Sequence, residues 1–235
     1  EPISTGKFNT DIAIALWDKN FNVSILCSHP FYPNWKPKKS NQKIAGLDII
    51  RGGEYIKYPK SILLRRVILE FWFAFFAFKN IVLIGKKTDL IIPVFPPSLS
   101  FYLTIPFLKK GTRKVGIVHD LQEVYAKNKK GILYKFVRFF INKVEGSSLR
   151  SCDKVIFLSE EMKESAKSLY NLEDHKLEVQ YPFVNINTAN RSEDLNKILC
   201  KDKRHVVYSG ALGEKQNPEG LYELFDFASQ IGRAH

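Results

Sequence analysis

Short apolar runs alternate with helix-length amphipathic stretches along most of the chain. Residues 21–27, 47–51, 89–94, 114–118, 154–158 and 204–209 are brief, rich in Val, Ile and Leu, and read as strands. Most lack strict apolar–polar alternation, which is the pattern of strands covered on both faces. Between them lie stretches long enough for helices, at 10–19, 61–78, 99–108, 131–148, 160–170 and 218–229. This order predicts βαβ units around a parallel sheet, hence an α/β, Rossmann-like domain. Residues 6–16 read as a glycine loop entering a helix with no strand ahead of it, so the chain is expected to begin after a missing first strand. The polar stretch 185–203 separates one last strand–turn–helix unit from the rest. The expected division is therefore residues 1–187 as an N-terminal Rossmann-like domain, and 188–235 as a linker and the truncated start of a second domain, too short to bury a core of its own.

Composition supports a packed core, since 45% of residues are hydrophobic and Phe alone numbers 18. Cys27, Cys152 and Cys200 are far apart and lack CxxC spacing, which argues against a disulfide scaffold or zinc ribbon and fits a reducing compartment. The histidines show no HxH or HxxxH spacing, so no metal centre is expected. The net charge of +12 is unevenly placed. Residues 36–150 hold 23 basic and 7 acidic side chains, a net of +16, whereas 201–235 are neutral. Such a segment is either a solvated face or a magnet for polyanions: nucleic acid, an acidic membrane leaflet or phosphorylated substrates. Its cations are scattered over α/β elements with no RRM, KH or helix-turn-helix signature, which argues against nucleic acid.

Three segments are candidates for chemistry. The turn from Ser209 to Pro218 contains Gly210, Gly213 and Lys215 between a strand and a helix. Glycines there admit a phosphate to backbone N–H groups and the lysine adds a full charge, although a tight turn needing positive φ explains the glycines equally well. The spacing is neither GxGxxG nor GxxxxGK[ST], so NAD and P-loop chemistry are not indicated. His119-Asp120 ends a predicted strand, where ligands gather in open parallel sheets; the pair can touch a sugar hydroxyl or simply cap the next helix. The stretch 61–78 is crowded with aromatics beside Arg65 and Arg66. Its uninterrupted apolar part, 71–78, is far below the ~18–20 residues that span hydrocarbon, so it is expected either to lie in a membrane interface or to form an aromatic core helix. In 131–148, Leu133, Phe136, Val137, Phe140, Ile141 and Val144 have the spacing of a core-facing stripe.

Glu1-Pro2 with Gly6-Lys7-Phe8, the run from Ser28 through Phe31-Tyr32-Pro33 to Trp35, Pro96-Pro97-Ser98, His119-Asp120-Leu121, the run from Asp153 to Ser159 and Gly210-x-x-Gly213-Glu214-Lys215-Gln216 follow one another along the chain. In that order they resemble the motifs of bacterial GT-B glycosyltransferases of family 4, the retaining class that includes colanic-acid and exopolysaccharide enzymes. The resemblance implies two facing Rossmann-like domains, the first for the acceptor and the second for a nucleotide-sugar. It implies that Gly6 and Lys7 approach the donor diphosphate, that His119 with Asp120 forms the catalytic pair at the donor sugar, and that Gly210, Gly213 and Lys215 hold the diphosphate. Lys215 would neutralise the leaving phosphate with no metal or other cofactor. Tyr32, Trp35, Arg65, Arg66 and Phe75 would meet the acceptor or a membrane. The implied reaction moves a sugar to a lipid-linked saccharide in exopolysaccharide, capsule or lipopolysaccharide synthesis, by a protein held peripherally at the cytoplasmic face of an anionic plasma membrane, with no nucleic-acid partner. Two departures qualify it: Ala211 stands where many relatives have Arg, and the family's late Glu-x7-Glu element lies beyond residue 235. The chain is thus expected to be a fragment with little activity alone. A sugar-nucleotide epimerase on the same scaffold is the alternative, and a basic nucleic-acid-binding domain a more distant one.

Overall fold

The computed structural model describes residues 4–31, 34–121, 132–182, 208 and 217–231. Contacts divide the chain into two compact units, Glu1–Phe183 and Val184–His235.

The first unit opens with helix α1 (Ser4–Asp18), which buries Phe8 and Ala13. The expected glycine loop is absent: the helix starts ahead of Gly6, whose own position lies within it. Strands β1 (Ser24–Ser28) and β2 (Asp48–Gly52) follow and pair in parallel from Ser24 opposite Asp48 to Ser28 opposite Gly52. Next comes α2 (Ile62–Ile84), six residues longer at its C-terminus than its sequence pattern suggested. Lys79 and Asn80 do not end it, because a lone exposed lysine and an asparagine bonded back to the Phe76 carbonyl fit inside a helix. The predicted strand 89–94 is split into β3 (Leu90–Ile91) and β4 (Val94–Phe95), with Pro93, which has no N–H to give a ladder, between them. Helix α3 (Leu99–Thr104) stops early in a 3-10 turn, Ile105–Phe107, that contains Pro106. Then come β5 (Arg113–Val118), α4 (Ile132–Ser151), β6 (Lys154–Phe157), α5 (Glu160–Tyr170) and a strand that sequence reading missed, β7 (Leu177–Val179).

Every pairing is parallel, as expected for an α/β, Rossmann-like domain. Five strands form one sheet in the order β3-β5-β6-β7, with β4 also on β5; β1 and β2 form a sheet of two. The main core lies over β5 and β6, where Phe95, Val118, Phe157, Leu149, Cys152 and Val155 are almost fully buried. Each large side chain there contributes about 1.5–3 kcal/mol by leaving water. The centre of β5 must be glycine, since a Cβ on Gly116 would sit 2.9 Å from the Phe95 ring and 3.2 Å from Cys152 Sγ. Helix α5 is capped at both ends. Ser159 Oγ accepts from the Met162 N–H at 3.2 Å, Glu160 and Glu161 occupy the first turn, and Asn171 closes the helix in the left-handed region at φ 51°.

Helix α4 departs from its expected stripe. Phe140 is exposed, and the buried face is Val144, Glu145, Ser148 and Leu149. Glu145 is tolerated there because it accepts a short hydrogen bond from the Tyr170 hydroxyl, while Arg150 donates to the Tyr170 carbonyl at 2.8 Å. The side chains of Leu133, Phe136 and Val137 lie outside the described residues.

In the second unit the described element is α6 (Pro218–Ile231). Asn217 precedes it, and its Oδ1 accepts from the Gly220 N–H at 3.3 Å. Leu221, Phe225 and Ala228 form its partly buried side. The expected strand 204–209, apart from Tyr208, and the turn carrying Gly210, Gly213 and Lys215 lie outside the described residues.

Candidate functional site

His119 is the first residue beyond β5, at the carboxyl end of that strand, and its backbone N–H donates to the Phe95 carbonyl at 2.9 Å. The ends of β4 and β5 are thereby held side by side, which is where open parallel sheets place their ligands. The imidazole Nε2 lies 3.1 Å from Asn9 Oδ1, and the Phe8 ring meets the imidazole edge-on with centroids 5.5 Å apart. Both partners belong to the first turns of α1, a helix more than a hundred residues upstream in sequence. Burial pushes the imidazole below its ordinary range, because a desolvated ring resists protonation. The neutral ring must then donate from Nε2, since an amide oxygen only accepts, which leaves the lone pair on Nδ1. Asp120 follows, half-buried.

The same turns of α1 carry Gly6 and Lys7, both exposed. A Cβ on Gly6 would meet nothing within 4 Å, so the protein's own packing does not require a glycine there. The open space and the adjacent lysine, at the start of a helix, suit an anion. Sequence reading missed Asn9, which a motif search cannot single out: its significance comes only from α1 packing against the end of β5.

The loop after β4 is the second part of the site. The peptides Phe95–Pro96 and Pro96–Pro97 are both cis, and Ser98 is buried. Helix α3 has no side-chain cap of its own. Glu70, from the middle of α2, supplies it by accepting from the Ser98 N–H at 3.3 Å and the Leu99 N–H at 3.0 Å. This residue too was invisible in the sequence, where it is one acid within an aromatic run.

The remaining candidates fall into two groups. Trp35 and Arg65 come together, with the guanidinium 4.7 Å from the indole centroid. They join Phe31, Tyr58 and Trp72 in one aromatic cluster at the carboxyl ends of β1 and β2, where the Trp72 indole N–H donates to the Tyr58 hydroxyl at 2.7 Å. Glycine is required beneath this cluster, since a Cβ on Gly53, at φ 84°, would be 2.6 Å from Trp72. Phe75 is separate from it, on the open side of α2, and Arg66 is half-buried. Tyr32 lies outside the described residues, as do Gly210, Gly213 and Lys215. Among the described residues no three of His, Cys, Asp and Glu gather as a metal would require. A surface hollow lined by Trp17, Asn20, Phe21 and Gly46 is at the other end of α1 from His119.

The first unit is a parallel α/β, Rossmann-like domain with a histidine at a strand end and an open, lysine-bearing helix start beside it. The chain belongs to glycosyltransferase family 4: that family's model matches residues 6–188, from the first turn of α1 through His119 and beyond. The first unit is accordingly a glycosyltransferase-type domain. No curated protein matches the chain.

Proposed function

We propose that the protein transfers a hexose from a nucleotide-sugar to a lipid-linked saccharide during synthesis of a cell-surface polysaccharide, with retention at the anomeric carbon. The observation that carries this reading is the His119–Asn9 pair beside Gly6 and Lys7. Held neutral with its proton on Nε2, His119 offers Nδ1 to a sugar hydroxyl, and Asp120 stands next to it. Gly6 and Lys7 suit the diphosphate of the donor, and Gly210, Gly213 and Lys215 are, by residue type, further candidates to bind it. Charge builds on the departing phosphate oxygen as the glycosidic bond to it breaks, and a fixed ammonium stabilises that charge without a metal ion. Trp35 and Arg65 suit an acceptor, since an aromatic face stacks on a pyranose and a guanidinium grips its phosphate. A lipid-linked acceptor places the work at the cytoplasmic face of the membrane, with the protein bound peripherally.

The test is transfer by the full-length gene product, supplied with a panel of nucleotide-sugars and a lipid-diphosphate saccharide. His119→Ala and Lys215→Ala are expected to lower kcat by about a hundredfold or more, with the first product in the donor's anomeric configuration by NMR. Turnover of the donor alone, with no acceptor, would identify an epimerase instead.

A further inference from the structure

The chain leaves β1 at His29 and is tied back to the same residue at Ser40. His29 follows the last residue of β1, and its backbone N–H donates to the Gly52 carbonyl at 2.9 Å, which anchors it to the end of β2. Its side chain is 8% exposed, and Nδ1 accepts from the Ser40 N–H at 3.2 Å. A ring nitrogen that accepts from an amide carries no proton, so the proton of this imidazole is on Nε2. Just inside that bond the Lys38 N–H donates to the Pro30 carbonyl at 2.8 Å, and Lys39 pairs with Glu54, beyond β2, at 3.2 Å. Between the tied ends stand Phe31 and Trp35. Trp35 has φ 54°, in the left-handed region that strains any residue with a bulky side chain and persists only where the surroundings enforce it. Arg65 lies over its ring, and Phe31 and Tyr58 meet it with centroids 5.1 and 5.2 Å away.

We propose that His29 is a positioning residue: its Nδ1 clasps the chain at Ser40 and thereby holds Trp35 in its left-handed turn beneath the Arg65 guanidinium. This rests on the reading of Trp35 and Arg65 as the acceptor side of a transferase. The ring contacts alone do not fix Trp35, since aromatic pairs accept a wide range of tilts, here 38° against Phe31 and 73° against Tyr58. Two amide hydrogen bonds across the base of the segment are directional and hold both of its ends. The chemistry of position 29 follows from its burial. An apolar residue of the same size would fill the space but leave the Ser40 N–H unpaired, and a carboxylate would bury a charge beside a single amide. A neutral imidazole supplies the acceptor at neither cost. Buried as it is, His29 acts through Trp35 and Arg65 rather than on the substrate.

The discriminating replacement is His29→Asn, whose Oδ1 stands where Nδ1 does and accepts the same bond, set against His29→Leu, which fills the space without an acceptor. Ser40→Pro removes the N–H from the other side and leaves every buried side chain in place. Hydrogen exchange in the full-length gene product reads the clasp with no substrate present. Exchange at the residue 38 amide is expected to speed up about tenfold in His29→Leu and Ser40→Pro, and to stay at the parent rate in His29→Asn. The residue 29 amide, bonded to Gly52, should remain protected in all three. Kinetics with a nucleotide-sugar and a soluble lipid-diphosphate saccharide analogue read the role. The acceptor KM should rise about tenfold in His29→Leu and Ser40→Pro with kcat and donor KM unchanged, and His29→Asn should return it to within about twofold. Unchanged exchange at residue 38 in both disruptive variants overturns the clasp. An opened clasp with the parent's acceptor KM, or with kcat and donor KM shifted alongside it, overturns the positioning role. A parent that turns over no donor–acceptor pair while exchange behaves as expected sinks the transferase reading and leaves the clasp standing.

Discussion

Replacing Glu70 tests whether α2 organises the loop beside His119. Its carboxylate accepts from two buried amides, Ser98 N–H at 3.3 Å and Leu99 N–H at 3.0 Å, and Ser98 and Leu99 are 1% and 6% exposed. Hydrogen bonds to a charged group contribute about 1.5–3 kcal/mol each, and a buried N–H left unpaired costs about 1–3 kcal/mol. Glu70 itself is half-buried, so water screens part of the gain and can partly replace it in the variant. Glu70→Ala is therefore expected to cost about 2–4 kcal/mol in total. Glu70→Gln, which keeps the shape and one acceptor oxygen but not the charge, should cost about 1–2 kcal/mol. The assay is urea unfolding of both variants, joined to hydrogen exchange at the amides of residues 98 and 99. Loss of protection at those two amides, graded from Gln to Ala, is the expected signature. A cost below about 0.5 kcal/mol for Ala, with both amides still protected, would refute the reasoning, because the loop would then hold its shape without α2.

Two further outcomes follow from buried polar groups. Burial lowers the His119 pKa from the ordinary 6.5, so below that value the unfolded chain takes up a proton the folded chain refuses. Stability should fall as pH drops from 6.5 toward the depressed folded value, and the slope should flatten in His119→Gln when unfolding is measured across that range. Tyr170→Phe removes the hydroxyl that donates to fully buried Glu145 and should destabilise by about 2–3 kcal/mol in urea unfolding, with Glu145→Gln costing less because an amide stays satisfied more easily than a carboxylate.

The fold was legible where a local pattern determines the structure. Val and Ile runs at 114–118 and 154–158 became β5 and β6 nearly to the residue, and Ser159 announces α5 because its cap is a bond three residues long. What the sequence hid depends on contacts between distant segments. Three residues of β7, Leu177–Val179, form a strand only because β6 offers an edge to pair with. Phe140 has helical spacing toward a core, yet the buried side of α4 is turned to Glu145 and Ser148, since Tyr170 is available to satisfy the carboxylate. At the site, His119 could be found from its place at a strand end. Asn9 and Glu70 could not, because neither is near its partner in the chain.

The position of Glu70 also accounts for an oddity of composition. At position 70 the acid is turned inward and completes α3. The same helix thus turns Phe71, Phe75 and Leu83 outward and fixes Ser98 inward. From Ser98 the chain runs back through Pro97 and Pro96 to Phe95, whose carbonyl accepts from the His119 N–H at 2.9 Å. A one-turn slide of α2 along its axis, about 5.4 Å, would break both amide bonds at once. Hydrogen bonds thus connect α2, through Ser98 and Phe95, to the His119 N–H, and substitutions on the open face that keep Glu70 bonded should leave His119 where it is.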